Sequence, residues 1–239
     1  MIQDEERGEM KKFKPYQWIV FDADDTLFHF DAFAGLKLFF SRIGIIFTEL
    51  DYQAYQAVNK ALWLEYQNGK ITATQLQYRR FESWGQALQA APEDLNSAFL
   101  SAMAEICVPL EGAVSLLDTL KGWVKLGIIT NGFTALQEKR LDRNGLTAHF
   151  NFVVISEQVG VAKPHPDIFE HAWQLMGCPK RNTVLMVGDN LDSDILGGMN
   201  AGFDTCWLNS TGKPVSQEIK PRYMVSSLHA LAQLLRADS

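Results

Sequence analysis

The stretch Trp18-Ile19-Val20-Phe21-Asp22-Ala23-Asp24-Asp25-Thr26-Leu27 decides the fold. Four consecutive apolar residues run straight into three carboxylates, the pattern of a strand buried on both faces whose carboxyl end opens onto solvent. In open α/β sheets the ligand crevice lies outside the carboxyl ends of the strands, so Asp22 and Asp24 are expected at its mouth.

Outward from this strand, the sequence from about Phe30 to Cys107 takes on helical periodicity. Four helices are expected. The first covers residues 31–43. The second follows the capping-box sequence Thr48-Glu49-Leu50-Asp51, carries Tyr55, Val58, Leu62 and Tyr66 at helical spacing, and stops at Gly69. The third spans 72–88, and the fourth runs from Pro92 to about Cys107 with proline suiting its first turn. Strands resume only after this bundle, so it reads as an insertion into an α/β pattern.

From Pro109 onward helices and strands alternate. Helix 112–121 buries Ala113, Leu116, Leu117 and Leu120, and strand 124–129 ends on Thr130-Asn131-Gly132. Helix 133–144 leads to strand 152–155 and the loop Gly160-Val161-Ala162-Lys163-Pro164. A helix from Pro166 to Gly177 precedes strand 184–187, which runs into Gly188-Asp189-Asn190-Leu191-Asp192-Ser193-Asp194 and a helix ending near Gly202. Strand 205–208 and a short one around Met224 close the series. Alternation of this kind implies βαβ units and a parallel sheet.

Bulk properties narrow the classes of function. The chain has 239 residues, 47% hydrophobic and 21% charged, which suffices for a sizeable core. A net charge of -6 and an isoelectric point near 5.4 leave no clustered cations for a nucleic-acid polymer. No stretch approaches the roughly 20 apolar residues of a membrane span. Cys107, Cys178 and Cys206 form no metal or redox motif and read as reduced thiols, which points to a cytoplasmic protein. Residues 1–17 lack the apolar core of a signal peptide and read as a flexible leader. No P-loop or dinucleotide glycine motif is present.

Polar groups thus recur at one place in the pattern: Asp22 and Asp24 after the first strand, Thr130 after the second, Lys163 after the third and Asp189 after the fourth. Together with Asp194, this ordered set resembles the four motifs of the haloacid dehalogenase (HAD) superfamily, and the match spans Trp18 to about Leu208. Tyr55-Gln56-Ala57-Val58-Asn59-Lys60, Glu65-Tyr66-Gln67-Asn68-Gly69 and Arg80-Phe81-Glu82-Ser83-Trp84 further resemble the YjjG-type pyrimidine 5'-nucleotidases. The resemblance implies a Rossmann-like parallel sheet flanked by helices. Its α/β core would comprise 18–30 and 108–239, with 31–107 as an inserted helical cap of the C1 type.

Electrostatics independently calls for a cation. Two like charges about 4 Å apart repel by roughly 4 kcal/mol at an effective dielectric near 20. An all-oxygen cluster with room for water and phosphate suits Mg²⁺. The resemblance assigns the metal to the Asp22 carboxylate, the Asp24 main-chain carbonyl and the Asp189 carboxylate, with Asp194 supporting from outside the ligand set. It makes Asp22 the nucleophile that forms an aspartyl-phosphate, and Asp24 the acid and base, a role that neighbouring negative charge would assist. The Thr130 hydroxyl and Asn131 N–H would hold phosphoryl oxygens while Lys163 offsets their charge.

The expected activity is therefore a Mg²⁺-dependent phosphatase for a small phosphomonoester, a pyrimidine nucleoside 5'-monophosphate by resemblance. Other readings stay open at this stage: a sugar-phosphate phosphatase or mutase, a haloacid dehalogenase, or a catalytically silent binding protein. Asp25 stands where many superfamily members have glycine. Trp63, Tyr66, Phe81 and Trp84 read either as bundle core or as a stacking surface. Asn59, Lys60, Arg79 and Arg80 read either as solvated face or as substrate contacts. Asn190 either coordinates or caps. The five histidines form no ligand pattern.

Overall fold

Trp18–Phe21 forms strand β1, and each of its four residues is buried. The computed structural model describes residues 16–236. In it β1 is joined in one sheet by β2 (Lys125–Thr130), β3 (Phe152–Ile155), β4 (Val184–Gly188), β5 (Asp204–Leu208) and β6 (Tyr223–Val225). They make one six-stranded sheet of order β3-β2-β1-β4-β5-β6, with every neighbouring pair parallel. The Rossmann-like sheet expected from the sequence is the one observed.

Strand periodicity divides β1 between two cores, because successive side chains point to opposite faces. Ile19 and Phe21 pack with Leu116, Leu117, Leu141 and Leu231, which belong to α6 (Ala113–Leu120), α7 (Thr134–Arg143) and a C-terminal helix. Trp18 and Val20 pack on the other face with Ile168, Phe169 and Ala172 of a helix over Pro166–Leu175. Both faces are covered by helices, so the central strands tolerate a continuous apolar run.

Five helices lie between β1 and α6: α1 (Ala32–Arg42), α2 (Glu49–Gln67), α3 (Ala73–Arg79), α4 (Glu82–Leu88) and α5 (Pro92–Ile106). They share a second core that includes Leu36, Phe40, Leu62, Leu76 and Phe99 and extends to Phe133 and Leu136 at the head of α7. The capping box at the head of α2 is formed, with Thr48 and Asp51 bonding each other's backbone N–H. Gly35 lets α1 approach α5, since a Cβ there would stand 2.2 Å from the Met103 sulfur.

One expectation is corrected. Residues 72–88 make two helices, α3 and α4, instead of one. A straight helix would set Arg80 and Phe81 about 100° apart on its surface, whereas the break buries both, at 5% and 0% exposure. The sequence reads residues 1–17 as a flexible leader. Residues 1–15 lie outside the described residues, but the Tyr16 hydroxyl donates to Asp204 at 2.6 Å and the Gln17 N–H donates to Thr183 O at 2.8 Å.

Candidate active site

The site follows from register. Phe21 pairs with Ile128 on one side and with Val187 on the other, so the residues just beyond all three central strands come to one edge. The chain leaves β1 toward β2 on one side and later returns to β4 on the other. Asp22 and Asp189 therefore flank the point where strand order reverses, the place where doubly wound sheets bind ligands.

Ligand-capable oxygens of Asp22, Asp189 and Asp194 lie within 4.8 Å of one another. Lys163 Nζ sits among them, 2.6 Å from Asp22 Oδ1 and 2.7 Å from Asp194 Oδ1, and also donates to Ile129 O at 2.7 Å. Lys163 and Asp194 are each 1% exposed. Asp194 is fully engaged, since Oδ2 accepts Asn190 N–H and Oδ1 also accepts the Ser193 hydroxyl, both at 3.1 Å. Among the described residues no donor engages the Asp189 carboxylate or Asp22 Oδ2, which leaves those oxygens open to the crevice.

Titration follows the same geometry. Burial pushes Asp22 up to about 8 against the opposing pull of Lys163, with Asp194 and Asp24 adding to the rise. Asp189 is pushed up to about 6, by burial first and then by Asp194 and Asp25. Lys163 goes up to about 12: burial opposes this, but the carboxylates of Asp194 and Asp22 outweigh it.

The Thr130 hydroxyl, on the last residue of β2, is buried with no hydrogen-bond partner among the described residues, so it is free for a ligand oxygen. Asn131 acts through its side chain as well. Its amide accepts Lys163 N–H at 2.7 Å and donates to Lys163 O at 2.9 Å, clamping the lysine backbone beside the carboxylates. Asn190 caps the turn after β4 by accepting the N–H groups of Asp192 and Ser193. Asp25 has φ +54, and its Oδ1 accepts Phe30 N–H at 3.2 Å. Aspartate tolerates that left-handed conformation better than most side chains, which lets it hold the turn without glycine.

The surroundings of Asp24 differ from expectation. Its side chain hydrogen-bonds the guanidinium of Arg140, a residue on α7 with 0% exposure. The immediate neighbour of the expected acid is thus a cation. Arg140 was not legible as a site residue, although one signal exists: it stands four residues after Leu136 on the buried face of α7, where an apolar side chain belongs.

Above the carboxylates is a cavity of about 300 Å³. The α2 residues Tyr55, Asn59, Trp63 and Gln67, at steps of four, line its roof together with Arg80 and Phe133. Trp63 packs on Phe133 with ring centroids 5.4 Å apart. Asn59 Oδ1 is buried and unpaired among the described residues. Arg80 is buried, with no carboxylate partner among the described residues. It donates to Asn96 Oδ1, Asn96 donates to Gln77 Oε1 at 2.9 Å, and Gln77 donates to Glu157 Oε1 at 2.6 Å. Tyr66, Phe81 and Trp84 pack with the helical core instead. Arg79 pairs with Glu65 at the surface at 2.9 Å, and Lys60 is exposed.

The sheet, its switch point and the acidic cluster define a class. The chain belongs to the haloacid dehalogenase-like hydrolases, a family that matches residues 16–202. Within that family it is 57% identical over 220 residues to pyrimidine 5'-nucleotidase YjjG of Escherichia coli K12, covering 92% of this chain and 98% of that protein. Pyrimidine 5'-nucleotidase PynA of Streptococcus pneumoniae is 33% identical over 228 residues, 92% of this chain and 95% of PynA. A solved structure of Bacillus subtilis YfnB bound to magnesium matches with a TM-score of 0.79 at 31% identity, covering 93% of this chain and 99% of that one. Among the described residues no helix is long and apolar enough to cross a membrane.

Proposed function

We propose that the chain is a Mg²⁺-dependent phosphomonoesterase that hydrolyses pyrimidine nucleoside 5'-monophosphates through an aspartyl-phosphate on Asp22. The observation that carries this reading is the gathering of Asp22, Asp189 and Asp194 around Lys163 at the sheet's switch point. The identity to YjjG and PynA supports the choice of substrate.

The residues fit Mg²⁺. The donor set is all oxygen, and the open carboxylate oxygens belong to Asp22 and Asp189, while Asp194 is consumed by Lys163, Ser193 and Asn190. The Asp22 and Asp189 carboxylates with the Asp24 carbonyl would hold the ion, and Asp194 would act from outside the ligand set. Mg²⁺ bound there offsets the crowded negative charge and polarises the phosphoryl oxygens.

Asp22 attacks phosphorus as the bond to the nucleoside 5'-oxygen breaks, and Asp24 gives that oxygen its proton. Water then attacks the aspartyl-phosphate and passes a proton to Asp24. This releases inorganic phosphate and restores both carboxyl groups. The Thr130 hydroxyl, Asn131 N–H and Lys163 ammonium hold the phosphoryl oxygens throughout. Helices α1–α5 act as the cap domain that excludes water, and Asn59, Trp63 and Arg80 face the base and sugar. Three cysteines outside any metal or redox motif accord with a cytoplasmic setting.

A phosphate-release screen over nucleotides and sugar phosphates, with Mg²⁺ and with chelator, tests the reading. The highest kcat/KM is expected for pyrimidine nucleoside monophosphates, with activity lost on chelation. A preference for purine nucleotides or sugar phosphates would overturn the substrate; turnover untouched by chelator would overturn the metal.

A further inference from the structure

We infer that Arg140, oriented by Gln137, is a positioning residue for Asp24. It fixes the carboxyl group so that Oδ2 meets the leaving oxygen of the substrate. The inference rests on the assignment of Asp24 as the acid and base.

Geometry carries it. Arg140 is wholly buried, and one end of its guanidinium binds Asp24 Oδ1. Its other nitrogens, Nε at 2.9 Å and Nη2 at 2.6 Å, both donate to Gln137 Oε1. The guanidinium carbon lies 4.7 Å from the centre of the Phe28 ring. A rigid planar fork held at both ends and packed on a ring has little freedom, so the oxygen it grips is fixed in direction. Asp24 lines the cavity with Oδ1 committed, which leaves Oδ2 for the substrate.

Gln137 is aimed in its turn. Two donors on Oε1 turn its Nε2 toward the loop after β2, where a Cβ on Gly132 would stand 2.6 Å from it. That Nε2 is buried and unpaired among the described residues, as is the nearby Thr130 hydroxyl. The row Gly132, Gln137, Arg140, Asp24 thus joins the loop that would receive the phosphoryl group to the group that protonates the departing oxygen. An arginine buried only for stability would be an expensive choice, because desolvating a charge usually costs several kcal/mol.

The role gives a signature that lost stability alone would not. A nucleotide leaves as an alkoxide and needs its proton, whereas 4-nitrophenolate leaves without one. The test compares wild type with Arg140→Met, Arg140→Lys, Gln137→Leu and Asp24→Asn. Each is assayed for nucleotide turnover and for the pre-steady-state burst of 4-nitrophenolate, which reports only the first step.

Arg140→Met is expected to lower nucleotide kcat about 30-fold or more, within the range general acid catalysis supplies, with KM within about threefold. Its nitrophenolate burst rate should fall far less, and Arg140→Lys should recover part of the loss. Added to Asp24→Asn, Arg140→Met should cost little more, because two residues acting as a unit are not additive. Equal losses on both substrates, or full additivity with Asp24→Asn, would overturn the inference. If Arg140→Met does not fold, Gln137→Leu takes its place: a loss confined to the nucleotide supports the inference, and equal losses on both substrates overturn it. The acid assignment is read separately: if Asp24→Asn itself fails to discriminate between the leaving groups, that assignment falls.

Discussion

Lys163 Nζ stands 2.6 Å from Asp22 Oδ1, with the lysine buried and its backbone clamped by the Asn131 amide. The ammonium therefore neutralises a carboxylate cluster before any ligand arrives. Removing one member of a buried ion pair leaves its partner uncompensated, which typically costs about 3–5 kcal/mol. Lys163→Met should accordingly lose stability on that scale in urea titration as well as activity. Lys163→Arg should not restore activity, because a planar fork does not replace a point charge held by three acceptors. A Lys163→Met protein as stable as wild type would contradict this balance.

Stability of the metal-free protein should fall as pH rises. Asp22 is moved from 3.8 to about 8, chiefly by burial. Across that interval the folded state keeps a proton that the unfolded state has released, so unfolding is progressively favoured. Melting temperatures in chelator should drop between pH 5 and pH 8, and Asp22→Asn should flatten the slope. Mg²⁺ should bind more tightly as pH rises and release protons on binding, measurable by calorimetry in buffers of different ionisation enthalpy. A metal-free stability that climbs over this interval would contradict the assignment.

The roof of the cavity should govern nucleotide binding more than chemistry. Trp63→Ala removes an aromatic face, whose pairings contribute about 0.5–1.5 kcal/mol, and should raise nucleotide KM about threefold to tenfold. Asn59→Leu should act in the same direction by removing the unpaired Oδ1. Neither change should much alter kcat/KM for a phosphomonoester too small to reach α2. Equal losses on large and small substrates would place these residues in folding instead.

The sheet was legible because β1 and β4 are short apolar runs ending on aspartate, and the helices because Thr48, Gly69 and Pro92 mark their ends. Asp22, Asp189, Lys163 and Thr130 were legible for a related reason, since each lies at or beyond the carboxyl end of a strand in a parallel sheet. Arg140 was not, because its importance depends on a contact with Asp24 across 116 positions. The path from Arg80 through Asn96 and Gln77 to Glu157 was hidden likewise, as it joins α3, α5 and the short helix after β3. The break at Phe81 escaped because helical periodicity continues through it. Patterns of period two and 3.6 report which face is buried, while polar partnerships between elements leave no periodic trace.

The central claim is that the phosphoryl group passes through Asp22. Enzyme quenched in acid during steady turnover of a pyrimidine nucleoside monophosphate, digested and examined by mass spectrometry, tests it directly. One phosphoryl group is expected on the peptide containing Asp22, absent from Asp22→Asn, which should also be inactive. Full turnover in Asp22→Asn, or rapid turnover with the phosphoryl group on a different residue, would contradict it.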